Sequence, residues 1–285
     1  MPLTRLSVTP SSFALRDAVS AALFGVGAQG LLEDGEALVT VLASDADAAQ
    51  LDAFVSAVRA VDSAALVELR ALPDVDWSEA WRAGIAAHDV GTLTIVPPWL
   101  AEGRDPARTI VIDPAMAFGT GEHETTRCVV RLMPDVIRAG DTVADLGAGS
   151  AVLAIAAAKL GASRVAAIEL DGEAIPNAEH NVAANGVSDR VLVLEGDAAV
   201  LLPLVAPVRV VLANILSSVI CALLPVIGAA VPAGGAAIFS GILGSERDDV
   251  LAALSAAGGW RVTREESEGE WWAVAVERMT ADDGS

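Results

Sequence analysis

Asp145-Leu146-Gly147-Ala148-Gly149-Ser150 ends one apolar run, Thr142–Leu146, and opens another, Ala151–Leu160. The first is strand-like, and the second is Ala-rich, closed by Gly161 and helix-like. A strand that feeds a helix through two glycines makes a tight turn whose bare backbone can lie against a ligand. A dinucleotide-binding turn requires a third small residue three positions after its second glycine. Val152 stands there, which weakens the nicotinamide reading. Gly-x-Gly alone is a weak signal, so its surroundings decide what it means.

Downstream, Arg164–Leu170, Arg190–Glu195, Arg209–Ala213 and Gly235–Ser240 read as strands, with Ile175–Asn185, Ser217–Val231 and Glu246–Ala257 as helices between and after them. Such alternation predicts a parallel sheet covered by helices. Trp260–Arg264 and Trp271–Glu277 predict a closing antiparallel pair. From Val210 to Ser245 there is no charged residue. Asn214, Ser217, Ser218, Pro225, Pro232 and Gly234-Gly235 divide that run into buried strand, helix, turn and strand rather than a membrane span.

Upstream, the predicted order over residues 1–72 is strand Leu3–Val8, helix Phe13–Phe24, two strands within Leu31–Leu42 around Asp34-Gly35, helix Ala46–Val61 and strand Leu66–Leu72. This β-α-β-β-α-β order is the split βαβ, ferredoxin-like arrangement of a small α+β domain. Residues 73–92 read as a linker helix region in which Trp77 and Trp81 share one face. That aromatic stripe suits either docking on a neighbouring domain or a substrate contact. Residues 93–285 form the larger α/β domain.

Across the 285 residues, 18 basic side chains face 38 acidic ones, for a net charge of −20. Such a field repels phosphate backbones and disfavours a nucleic-acid partner. It suits a cationic partner, although acidity also serves solubility. A hydrophobic content of 53% excludes wholesale disorder. Cys128 and Cys221 lie in apolar runs, as expected of buried thiols in a reducing compartment. The opening Met1-Pro2-Leu3-Thr4-Arg5 leads into no sustained apolar stretch, so the expected location is cytoplasmic.

Several polar residues fall at predicted strand ends, where ligands bind in open α/β sheets. Glu169, twenty-two positions after Gly147, suits the hydroxyls of an adenosine ribose or a solvated strand end. Asp171 suits a helix cap. Asp197 suits recognition of an adenine amino group or a turn-forming role. Asn214 ends the fourth strand and points an amide into the crevice. Ile112-Asp113-Pro114-Ala115-Met116-Ala117-Phe118-Gly119-Thr120-Gly121-Glu122-His123-Glu124-Thr125-Thr126 is a Gly-rich stretch leading into the apolar helix Cys128–Met133. It suits a loop folding over a ligand or a set of helix caps. No metal-ligand spacing or nucleophilic triad emerges.

These segments together resemble the S-adenosylmethionine-dependent ribosomal protein L11 methyltransferases. The resemblance rests on Trp77-Ser78-Glu79-Ala80-Trp81, Ile95-Val96-Pro97-Pro98-Trp99, the stretch 112–126, DLGAGS followed by AVLAIAAAKLGA, NAEHNVAANGV, ANIL and Ser240-Gly241-Ile242-Leu243. It implies a seven-stranded Rossmann-like methyltransferase domain preceded by a small domain that recognises the basic ribosomal protein. The implied reaction is N-methylation of lysine side chains, and of the N-terminal amine, with S-adenosylmethionine as cofactor. The implied cofactor contacts are Thr126, Gly147, Glu169 and Asn214. Gly149 and Asp197 join them from the reading of the turn and the third strand end, and Asn214 is also the expected catalytic residue.

The chain departs from the usual family residues at Ala115, Glu122, Glu124, Ala151 and Glu169, where Gly, Thr, Pro, Gly and Asp are expected. Ala83–His88 also replaces a Lys- and aromatic-containing stretch. The alternatives are a methyltransferase of the same fold acting on another protein or a small molecule, and a non-catalytic cofactor-binding relative.

Overall fold

A computed structural model describes residues 4–28, 30–42, 48–71, 85–113 and 123–280. The Trp77–Trp81 stripe and the stretch from Pro114 to Glu122 lie outside these residues. The chain divides into two compact units, Met1–Gly84 and Ile85–Ser285.

In the first unit, strand β1 (Thr4–Thr9) is followed by helix α1 (Arg16–Gly25), the hairpin β2 (Leu32–Asp34) and β3 (Ala37–Leu42), helix α2 (Ala48–Val61) and β4 (Leu66–Ala71). The sheet order is β2-β3-β1-β4, with every neighbouring pair antiparallel. This is the predicted split βαβ topology. Its core joins Leu6 and Val8 of β1, Leu38 and Leu42 of β3, Val19 and Leu23 of α1, and Phe54 and Val58 of α2. Strand residues alternate inward and outward, while the helices contribute residues four apart, as their periods require.

The second unit opens with a three-stranded sheet absent from the sequence reading: β5 (His88–Val90), β6 (Leu93–Val96) and β7 (Thr109–Val111). These strands are three or four residues long, too short for a clear alternation signal. Helix α3 (Glu124–Val136) follows, starting earlier than the apolar run alone suggested. Then come β8 (Thr142–Leu146), α4 (Val152–Lys159), β9 (Arg164–Glu169), α5 (Ile175–Ala184), β10 (Val191–Glu195), α6 (Ala198–Val205), β11 (Val210–Asn214), α7 (Ser217–Ala230), β12 (Ala236–Leu243), α8 (Arg247–Ala257), β13 (Trp260–Glu268) and β14 (Trp271–Arg278).

Seven of these strands form one sheet in the order β10-β9-β8-β11-β12-β14-β13. The first five run parallel, and β14 and β13 close the edge antiparallel. Along β8 and β11, Val143, Val210 and Leu212 face one core with α3, α4 and α5. Ala144, Leu146, Val211 and Ala213 face the other, with α6, α7 and α8. Helix α4 buries Val152 through Ala158 and so accounts for its run without charge until Lys159. Among the described residues, no helix is long and apolar enough to cross a membrane. The charge-free run after Val210 forms β11, α7 and most of β12.

Strand order reverses between β8 and β11: the chain moves outward to β9 and β10, then returns to the other side of β8. A crevice therefore opens above the carboxyl ends of β8 and β11, where the crossover helices diverge.

Candidate active site

A cavity of about 530 Å³ occupies that crevice. Its walls include Gly147 after β8, Glu169 and Leu170 at the end of β9, Asp197 after β10, Asn214 and Leu216 after β11, and Trp271. His123 and Thr125 of the α3 start complete one side.

The turn after β8 is built around backbone hydrogen bonds. Both Gly147 and Ala148 donate their N–H groups to the Ile168 carbonyl, at 2.9 and 3.0 Å. Gly147 has φ +71°, and a Cβ there would collide with the Ile215 side chain. Gly241, at a bulge in β12 with φ +79°, presses on the Ile215 backbone from the other side. Glycine at both positions lets the Asn214-Ile215 segment sit between the β8 turn and the β12 bulge. Ala151 also adopts the left-handed conformation, at φ 63°, where a glycine would be unstrained.

Glu169 projects from β9 across this turn. One carboxylate oxygen accepts the Gly149 N–H at 2.7 Å and the other the Asp171 N–H at 2.9 Å. Each oxygen retains acceptor capacity, so the carboxylate is oriented without being saturated. The Gly149 N–H is therefore engaged by protein, whereas Gly147 lines the cavity directly.

Asp197 accepts the Ala199 N–H at 2.8 Å and caps α6, the turn-forming role foreseen for it, while still lining the cavity. Asp171 accepts the Glu173 N–H at 2.9 Å before α5. Thr126 is fully buried and does not line the cavity. Its hydroxyl lies 3.4 Å from the Asn214 amide nitrogen. The Asn214 amide oxygen is buried with no hydrogen-bond partner among the described residues. A buried acceptor without a partner is costly, which makes this oxygen a candidate to receive a donor from a ligand.

His123 caps α3. Its Nδ1 accepts the Thr125 N–H at 3.3 Å and lies 2.8 Å from the Thr125 hydroxyl. An amide N–H only donates, so the neutral ring carries its proton on Nε2. The ring meets Trp271 edge-on, with centroids 5.0 Å apart.

Asp145, at the end of β8, is buried; its Oδ2 accepts the Ala154 N–H at 3.0 Å and so holds the start of α4. Burial pushes its carboxyl up to about 7. Burial likewise pushes the Cys128 thiol up to about 11, which leaves it protonated and inert; Cys221 is half-buried.

Two asparagines in NAEHNVAANGV hold the surroundings together. Fully buried Asn181 accepts the Asp113 N–H at 2.9 Å and donates to the Ser150 carbonyl at 3.1 Å. Asn185 accepts the Val111 N–H at 2.9 Å and donates to the Val111 carbonyl. Sequence reading missed these braces, together with Trp271, Leu170 and Leu216 as cavity walls. The two asparagines and Trp271 act through contacts with distant segments, and Leu170 and Leu216 are apolar residues just past strand ends, where only polar residues were singled out.

The family model for ribosomal protein L11 methyltransferase matches residues 11–279. A protein of that name from Pelotomaculum thermopropionicum is 39% identical over 215 residues, covering 75% of this chain and 69% of that protein. One from Thermus thermophilus is 39% identical over 206 residues, covering 72% and 78%. The crystal structure of ribosomal protein L11 methylase from Lactobacillus delbrueckii subsp. bulgaricus aligns with a TM-score of 0.60 at 30% identity, covering 69% of this chain and all of that one. With the seven-stranded sheet and its crevice in place, these matches establish that the chain belongs to the ribosomal protein L11 methyltransferase family.

Proposed function

We propose that this protein methylates lysine ε-amines, and the N-terminal amine, of the large-subunit ribosomal protein L11. The carrying observation is the Asn214 side-chain oxygen, buried and without a hydrogen-bond partner among the described residues, on a residue that lines the same cavity as the oriented Glu169 carboxylate. S-adenosylmethionine supplies, when bound, a methyl group activated by a sulfonium.

The residues present fit that cofactor. Glu169 offers oriented acceptors to two adjacent ribose hydroxyls, and Gly149 holds the carboxylate in place. Gly147 keeps the cavity floor free of a side chain. Leu170 and Leu216 flank the cavity with apolar surface suited to a flat base, and Asp197 stands where an amino group on that base can be met. Thr126 contacts the Asn214 amide nitrogen from behind, and Asn214 Oδ1 is the group proposed to receive the incoming amine.

A protonated amine has no lone pair, so one proton must leave before transfer. Asn214 Oδ1 then accepts a remaining N–H and aims the nitrogen. Because His123 Nδ1 is engaged by Thr125, His123 orients rather than deprotonates, and the proton departs to solvent.

A charge of −20 favours encounter with a basic substrate and disfavours nucleic acid. The small N-terminal unit is proposed to recognise the ribosomal protein, with the Trp77–Trp81 region as its linker, and the enzyme to work in the cytoplasm without membrane attachment. Asn214→Ala tests the site: methyl transfer should fall by about a hundredfold through lost orientation, with the protein still folded. Wild-type turnover by that variant would remove Asn214 from the reaction.

A further inference from the structure

Glu268 and Trp271 face each other across the ladder of the terminal hairpin, with Gly269 at φ +61° in the turn between them. Trp271 lines the cavity and meets His123. Glu268 points to helix α3. Its Oε1 accepts from Arg127 Nε at 3.0 Å and from Arg127 Nη2 at 2.6 Å. The Arg131 guanidinium forms an ion pair with Oε2 at 2.7 Å. Arg127 and Arg131 lie one helical turn apart, so one face of α3 grips one carboxylate.

The helix gripped at Arg127 and Arg131 is the one whose first turn supplies His123, Thr125 and Thr126. The two walls of the cavity mouth, the α3 start and the hairpin tip, are thus joined through Glu268. The link is shielded: the side chains of Arg127 and Glu268 are 14% and 29% exposed, against 55% and 33% for the Arg261–Glu277 pair farther along the same hairpin. Shielding makes the first pair the stronger constraint, since exposed pairs contribute little. Its hydrogen bond from Arg127 holds the Glu268 carboxyl below the usual carboxylate range, so the pair persists at neutral pH.

The hairpin does not need this link to stay in the sheet. Strand β14 pairs with both β12 and β13, and Trp272, Val274 and Val276 are buried. What the link adds is the position of the tip.

We propose that Glu268 is a positioning residue for methyl transfer: it fixes the hairpin tip on α3 so that Trp271 and His123 form one aromatic wall for the substrate amine. This rests on the amine-methylation reading above. An aromatic wall suits an amine that arrives and leaves as a cation, because ring faces attract positive charge.

The test uses the full chain as wild type, Glu268→Gln, Glu268→Asp and, as a hairpin control, Glu277→Gln. Three quantities are measured: kcat and KM on ribosomal protein L11, the S-adenosylmethionine Kd by calorimetry, and acrylamide quenching of Trp271. The quenching is taken as the difference between each protein and its own Trp271→Phe version.

In Glu268→Gln, kcat should fall about tenfold through misplacement, with the cofactor Kd unchanged and Trp271 more accessible. Glu268→Asp should recover part of the loss, and Glu277→Gln should behave as wild type. Glu268→Gln with wild-type kcat and unchanged Trp271 accessibility would overturn the proposal. So would a parallel loss of cofactor affinity and thermal stability, the signature of a merely structural residue. A wild type that methylates no amine, yet whose Trp271 accessibility still responds at Glu268, would locate the failure in the functional reading instead.

Discussion

The carboxylate of Glu169 accepts the backbone N–H of Gly149 at 2.7 Å, tying the end of β9 to the turn that follows β8. The two sequence signals for a nucleoside site are thus one structural unit. A strand-end acid is oriented by the glycine turn, and the turn is held by the acid.

Glu169→Ala should therefore weaken S-adenosylmethionine binding by at least about tenfold, since hydrogen bonds to charged groups are worth ~1.5–3 kcal/mol. Glu169→Asp, which keeps a carboxylate at the strand end, should retain most of the affinity. Calorimetric titration checks both; unchanged affinity in the Ala variant would place the ribose elsewhere.

Ala151 is left-handed at φ 63°. Relieving a left-handed alanine recovers ~1–2 kcal/mol, from which the greater freedom of glycine in the unfolded chain removes ~0.4–1 kcal/mol. Ala151→Gly should accordingly leave stability equal or raise it by up to ~1.6 kcal/mol. Urea denaturation measures this, and a clear destabilisation would contradict the strain.

Much of this architecture was readable in the sequence, for identifiable reasons. Strands β8, β9 and β11 are near-continuous apolar runs bounded by glycine or polar residues, and Gly161 and Gly186 mark the ends of α4 and α5. Helix α6 and strands β5–β7 were not readable: Ala198–Val205 is apolar on every side, with Pro203 inside it, and the three strands are too short to show a period. Within the site, Gly147, Glu169, Asp197 and Asn214 announced themselves by standing at strand ends, and all four line the cavity. Trp271 and Asn181 did not. One reaches the site only through hairpin register, the other only through buried bonds to segments 31 and 68 residues away.

Asp145 carries a pH signature. Burial raises its carboxyl from the ordinary 3.8 to about 7, so the folded state holds a proton that the unfolded chain releases. Stability from this group is complete below about pH 4 and is lost as pH rises toward 7. Asp145→Asn, which keeps an acceptor for the Ala154 N–H, should flatten that part of the profile. Comparison of the two proteins' urea midpoints from pH 4.5 to 8 checks this; identical slopes would contradict it.

The charge of −20 should act on the encounter with a basic substrate. Raising ionic strength from about 0.1 to 1 M shortens the screening length from ~10 to ~3 Å, so kcat/KM for the protein substrate should fall. S-adenosylmethionine affinity should change far less. Salt-independent kcat/KM would remove steering from the mechanism.

The most direct measurement is mass spectrometry of ribosomal protein L11 incubated with this protein and S-adenosylmethionine, in parallel with the Asn214→Ala variant. Methyl groups on lysine side chains or the N-terminal amine, formed by the wild type and largely lost in the variant, are the predicted result. Ribosomal protein L11 left unmodified by a wild type that binds S-adenosylmethionine would contradict the proposed substrate and leave only the cofactor site standing.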